Sequence, residues 1–299
     1  MRPADVAVAV FVMSVWGMNF VVAKVGLAEI PPILFMLLRF SIVALLLAPF
    51  ARLPSTRQFR RIALISVTMG GLHFPMMFTG LAGVDASLAA IAVQLQVPFA
   101  AALAALIYRD PLGWKRAAGM ALAFAGVVLI AGEPRETTDL VSLGIVIVGG
   151  FMWSIGNIQI KELGPIDGIQ LTAWTAILAV PQLLLGTLLI EDGQLAAIAA
   201  ASPLAWGTVA YQALAVAIFS YILWYPIVRR YPVNRTMPFI LLQPVFVVVG
   251  AVALLGEPLS LPLVLGGAMV VAGVAAVLLL APRPAQRPSA EAGTAPRGS

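Results

Sequence analysis

Ten apolar stretches dominate this chain. They lie near residues 5–26, 32–50, 61–81, 87–108, 113–131, 140–160, 167–190, 204–228, 232–255 and 261–281, separated by short clusters of Pro, Gly and charge. A helix of about 20 apolar residues, rising about 1.5 Å per residue, matches the roughly 30 Å hydrocarbon layer of a bilayer. Lipid offers no partner to a bare peptide group, so each stretch must satisfy its own backbone as a helix. The predicted class is therefore an all-α integral membrane protein with ten transmembrane helices. Only 10% of the 299 residues are charged, against roughly a quarter in soluble domains. That scarcity excludes a conventional soluble enzyme. It also turns the net charge of +5 away from nucleic acid, since basic membrane loops give the same excess.

Placement of the charges sets an orientation. With the N-terminus cytoplasmic, the inner side collects Arg2, Arg52, Arg57, Arg60, Arg61, Arg109, Lys115, Arg116, Lys161, Arg229, Arg230, Arg235, Arg283, Arg287 and Arg297, which is 15 of the 18 basic residues. Arg135 alone falls outside, while Lys24 and Arg39 sit within spans. Glu29, Asp85, Glu133, Glu136, Asp139, Glu191, Asp192 and Glu257 all fall outside. The predicted protein is multi-pass in the inner (plasma) membrane, with both termini cytoplasmic. The segment after Met1-Arg2-Pro3 reads as a retained first helix, and residues 282–299, rich in Pro, Ala, Gly, Ser and Arg, read as a disordered tail.

The two halves repeat each other. At an offset of 147, Gln96 matches Gln243, Asp110-Pro111-Leu112 matches Glu257-Pro258-Leu259, Gly119 matches Gly266, and Gly126-Val127 matches Gly273-Val274. Earlier in each half the offset is 137: Trp16 matches Trp153 and Lys24 matches Lys161, with Asn19 and Asn157 one position out of step. About ten extra residues are expected between Glu191 and Ser202. The division is residues 1–136 and 137–281, five helices each, followed by the tail at 282–299. An odd helix count forces the second copy to insert upside down, so these are two inverted five-helix repeats, an architecture of secondary transporters with a midplane site.

The Trp-Gly-Met-Asn pattern at 16–19, its echo at 153–157, and the doubled ending of acid, Pro, Leu and then Gly-x6-Gly-Val resemble the drug/metabolite transporter superfamily in its ten-helix, EamA-type form. The likeness covers about residues 5–281 and is nearest to the amino-acid exporter branch. It implies a central cavity and export of small metabolites.

Polar groups deep in a bilayer are costly and mark a cavity or a partner helix. Gln96 and Gln243 are symmetry mates near mid-span, beside Pro98 and Pro244, which are expected to bend their helices. They either line a site or bond across helices as glue. Trp16 with Asn19, and Trp153 with Asn157, each put an aromatic plane beside an amide on one helix face. His73, Phe74, Met77 and Phe78 map at offset 147 onto Ser220, Tyr221, Trp224 and Tyr225. These two stripes read as cavity walls or as ordinary packing. The sole histidine, His73, is the one obvious candidate for proton coupling. Arg39, about seven residues into its span, either snorkels outward or meets a substrate carboxylate. Lys24 reads as an interfacial anchor, and the glycines of spans 5 and 10 as close-packing faces.

The expected cavity is thus lined by spans 1, 3, 4, 6, 8 and 9. It suits amino acids, hydrophobic or aromatic and of broad range, or similar metabolites, carried by alternating access. With no acid deep in any span, facilitated diffusion is expected. The alternative is a proton-coupled exporter of hydrophobic cations or drugs. No metal or cofactor is expected from a chain with no cysteine and one histidine. No paired carboxylates or nucleophile with a base suggest an enzyme. The partners are a small-molecule substrate and the lipid bilayer, with no nucleic acid, and function as a monomer.

Overall fold

A computed structural model describes residues 1–109, 113–133, 139–231 and 233–280. The first-repeat corner Asp110-Pro111-Leu112, Arg135, Glu136 and the tail at 282–299 lie outside the described residues. Among the described residues all regular structure is helical. Nine helices have the length and hydropathy to span a membrane: α1 Pro3–Leu27, α2 Pro32–Phe50, α3 Thr56–Ala82, α4 Ala86–Tyr108, α5 Trp114–Ala131, α6 Leu140–Leu163, α7 Gly168–Ile190, α8 Pro203–Arg230 and α10 Leu261–Leu279. The remaining span, α9, comes in two pieces, Val233–Ile240 and Leu242–Leu255.

The α9 break falls three residues before Pro244, and a short 3₁₀ turn, Val93–Leu95, stands at the equivalent place before Pro98 in α4. Proline lacks the N–H that would bond four residues back, so the ladder loosens just upstream of each. A second irregularity is also doubled. Ser66–His73 in α3 and Tyr211–Phe219 in α8 are wound with i to i+5 bonds, the Phe74 N–H reaching the Met69 carbonyl and the Ser220 N–H that of Ala215. Such wide turns are rare in helices and often accompany functional sites.

Two expectations need correction, and a third gains detail. The third helix begins at Thr56 rather than 61. Ser55 and Gln58 form a reciprocal capping box, which starts the helix one turn below its apolar part and places Arg57, Arg60 and Arg61 on it. The connection expected between Glu191 and Ser202 holds a short helix, Gln194–Ala200. Lys24 is more than an interfacial anchor, because its Nζ donates to the carbonyls of Leu81 (2.8 Å), Ala82 (3.0 Å) and Val84 (2.6 Å). It thereby closes the unsatisfied end of α3.

Packing follows the inverted repeat. Helix α1 lies on α9 as α6 lies on α4, and α2 lies on α8 as α7 lies on α3; α2 meets α7, and α5 meets α10. The last pair is a crossing of glycines. A Cβ on Gly126 would stand 2.5 Å from the Gly266 carbonyl, and one on Gly119 would stand 2.9 Å from that of Gly273. Small residues let helix backbones approach in lipid, where no hydrophobic force pushes them together.

Candidate functional site

Between the repeats runs a cavity in two joined chambers of about 530 and 190 Å³, within the size range of small-molecule sites. Trp16, Arg39, Phe74, Trp153 and Tyr221 border both chambers. The larger one also touches Asn157 and Trp224. It reaches the surface at Gly164, Pro165 and Arg229, on the face where α1 begins, the Arg2 N–H donating to Tyr231 Oη. The smaller one runs deeper and is bordered by Asn19, His73, Met77, Phe78, Gln96 and Gln243. The residues singled out for the cavity, with Arg39, therefore lie against this space, except Ser220, which is buried with its hydroxyl on the Ala215 carbonyl. Pro98 and Pro244 lie outside it. Beyond Arg39, helix α2 adds Phe40 and Val43, and α7, which was not expected there, adds Leu171, Thr172 and Thr175.

The walls hold an aromatic cluster built twice. Trp16 packs on Tyr221 at 5.4 Å between ring centroids and on Trp224 at 5.7 Å, and Tyr221 stacks on Tyr225 at 5.5 Å. In the other repeat Trp153 packs on His73 at 4.8 Å and on Phe74 at 6.2 Å. The offsets relate Trp16 to Trp153 and Phe74 to Tyr221, so one contact is the inverted image of the other. Each cluster follows directly on the wide helical turn of its repeat, which re-aims the residues after it.

The polar groups are spare. Gln243 Nε2 reaches the Trp16 carbonyl at 3.4 Å, Asn157 Nδ2 the Trp153 carbonyl at 3.0 Å, and the Asn19 carbonyl accepts from Gln212 at 2.9 Å. Asn19 Oδ1 is buried with no hydrogen-bond partner among the described residues. His73 Nδ1 lies 2.8 Å from the Gly149 carbonyl; a carbonyl only accepts, which assigns the proton to Nδ1. Arg39 is 5% exposed, with its guanidinium 4.6 Å from the Phe74 ring centre and 5.5 Å from that of Phe40. A desolvated cation–π contact returns about 2 kcal/mol or somewhat more, whereas burying an ion costs several. Arg39 has not snorkelled to water.

The deep end is shut. Phe78 stacks on Phe35 at 5.9 Å, with Ile30, Leu81 and Val84 buried around them. Over this plug three carboxylates bind helix N-termini across the repeats. Glu29 accepts from Ser202 N and Oγ, both at 2.7 Å, at the start of α8. Glu191 accepts from Ile33 N (2.7 Å) and Leu34 N (2.9 Å) of α2. Glu257 accepts from Ala86 N (2.6 Å) and Ser87 N (3.1 Å) of α4. A carboxylate there answers both the orphan N–H groups and the helix dipole, about 1 kcal/mol each. These acids entered the sequence reading as external charges, and Glu257 also as part of the repeat, but none as a helix cap. A signal was present, since Ser202 and Ser87 stand at helix starts, but the acids bonding them are 170 or more positions away.

The chain matches the family described as "EamA-like transporter family" over residues 5–132 and again over 141–279. A probable amino-acid metabolite efflux pump of Salmonella typhimurium is 30% identical over 283 residues, covering 92% of this chain and 94% of that one. The similarly described protein of Escherichia coli is 29% identical over 284 residues, covering 92% and 94%. A probable terminal-alkyne amino-acid exporter of Streptantibioticus cattleyicolor is 27% identical over 275 residues, covering 89% and 90%. One solved crystal structure superposes with a TM-score of 0.61 at 17% identity, covering 94% of this chain and 98% of that one; at that identity it shows the fold alone.

Proposed function

The chain belongs to the EamA-like transporter family, and on that premise we propose that it exports amino acids or similar small metabolites, hydrophobic or aromatic ones foremost, by alternating access. It is a multi-pass membrane transporter and not an enzyme. The observation that carries the substrate reading is the doubled aromatic cluster facing one space with spare amides and a buried guanidinium. Rings take an apolar body, amides take polar ends, and Arg39 takes a carboxylate. The names of the efflux-pump and exporter relatives support the same reading. A buried arginine in the wall disfavours hydrophobic cations as cargo.

Lys and Arg gather on the face where α1 begins, which supports cytoplasmic ends in an inner membrane and a cavity open toward the cytoplasm. The repeats then rock about the cavity, breaking the contacts on one face while making those on the other. Among the described residues no acid lines the cavity, which supports facilitated diffusion. His73 serves as a wall group held by Gly149.

Purified protein in liposomes, offered a panel of labelled amino acids, is expected to give saturable, competed flux; none for any amino acid would sink this reading. Trp16→Ala, Trp153→Ala and Gln243→Ala are each expected to lower flux about three- to tenfold, the worth of an aromatic contact for the tryptophans and of a hydrogen bond for the glutamine, with normal membrane insertion. Full activity in all three would refute the cavity as the path.

A further inference from the structure

Charge in the cavity wall is all of one sign. Arg39 lines both chambers and Arg229 stands at the mouth, while among the described residues no Asp or Glu lines either. Arg229 is exposed and has Asp167 at 3.8 Å. Arg39 is buried, and among the described residues its polar contact is the Met36 sulfur at 3.8 Å, with no carboxylate within ion-pair reach. The second repeat does not balance it, because the offset of 137 places Ala176 at the equivalent position.

While the cavity is open, Arg39 keeps 5% of its surface accessible to water in the chambers it borders. Occlusion expels that water, and an unpaired buried charge is then strongly unfavourable. A cargo that neutralises Arg39 therefore lowers the cost of closing over it, a cost the empty carrier still meets on its slower return. A zwitterion brings a carboxylate but also an ammonium, which finds only neutral acceptors such as Asn19 Oδ1 and the ring faces. The occluded sum stays at one positive charge. A net monoanion brings it to zero.

We propose that Arg39 makes this cavity selective for net-anionic carboxylates with an apolar or aromatic body, such as amino acids whose amine is acylated, and that membrane potential drives their export. This rests on the transport reading above and narrows its substrate class. An anion leaving a negative interior moves down the potential, which at 100 mV sustains a gradient of about 50-fold. No proton-carrying side chain is needed for that.

The test uses the full chain in liposomes, with labelled N-acetylphenylalanine, phenylalanine and phenylalanine methyl ester, and a potassium–valinomycin clamp at zero or about 100 mV. N-acetylphenylalanine is expected to show saturable flux, and its final distribution to shift about 50-fold with the clamp. The ester is expected to compete at least about tenfold less well, as loss of a charged hydrogen-bonded partner implies. Arg39→Gln should lower N-acetylphenylalanine flux about tenfold or more and erase the preference, with Arg39→Lys recovering part of both. Should Arg39→Gln fail to fold, the competition series on the unaltered protein decides alone. Saturable flux that ignores the potential, or that takes ester or zwitterion as well as the acyl form, overturns the inference and leaves the transport reading standing. Absence of saturable flux for every compound overturns that reading and the inference with it.

Discussion

Joining Glu29→Cys to Ser202→Cys with a short, cleavable thiol cross-linker is expected to cut flux to below about a tenth, and cleavage of the linker to restore it. The chain has no cysteine of its own, so the pair is the only target. The bond it replaces runs from the α1–α2 connection to the first turn of α8, from one repeat to the other, over the plug of Phe35 and Phe78. Alternating access requires this face to open. In the inverted repeat the corresponding places are Asp167, in the α6–α7 connection, and Ser55, which matches Ser202 at the offset of 147. Those two do not meet here: Asp167 caps its own helix at Ile169 N, and Ser55 is occupied by Gln58. Asp167→Cys with Ser55→Cys should therefore cross-link only in the opposite state, and less once the first pair is locked. Full flux in the locked protein would remove this face from the gate. The hydrogen bonds from the Ser202 backbone N–H, and then its hydroxyl, hold the Glu29 carboxyl below the usual carboxylate range. A depressed value means the contact is complete above the ordinary carboxylate pKa and is lost as pH falls through the lowered one. Labelling of a lone Ser202→Cys from that face, corrected for the thiolate fraction at each pH, should rise only in that acidic window.

The spans were legible because lipid imposes one rule on every backbone, and apolar run length reports it directly. The repeat was legible because symmetric packing needs the same glycines, prolines and tryptophans twice. Trp16 and Trp153 could be singled out for the cavity since a mid-span Trp has no interfacial role there. What escaped was whatever depends on a distant partner. Lys24 resembled an anchor because its three carbonyls lie 57 to 60 residues away. The acids of the sealed face were counted for sign and not for the helix ends they bind. Thr172 and Thr175 of α7 gave no signal, since a Thr hydroxyl in a span commonly satisfies itself on its own helix, as Thr172 does on the Gly168 carbonyl. The start of α3 was misjudged because hydropathy sees Arg57, Arg60 and Arg61 where the capping box sees a helix.

Gly126→Ala is expected to destabilise the protein by about 3 kcal/mol, against the sign that helix propensity alone predicts. In a plain helix Ala is favoured over Gly by about 1 kcal/mol. At Gly126, however, the added methyl would stand 2.5 Å from the Gly266 carbonyl, 2.8 Å from Val270 Cγ2 and 3.0 Å from Met269 Cβ. The nearest of these is backbone and cannot rotate aside, so α5 and α10 must separate. The cost spreads because the contact is reciprocal. Gly126 meets Gly266 and Gly119 meets Gly273, and the offset of 147 exchanges the two pairs. Pushing one apart strains the other across the pseudo-twofold axis. Gly207→Ala, in α8 where nothing lies within 4 Å of the new Cβ, supplies the control. Thermal unfolding in detergent should place Gly126→Ala well below the unaltered protein and Gly207→Ala at or above it. Equal midpoints for the two variants would show that this crossing does not hold the repeats together.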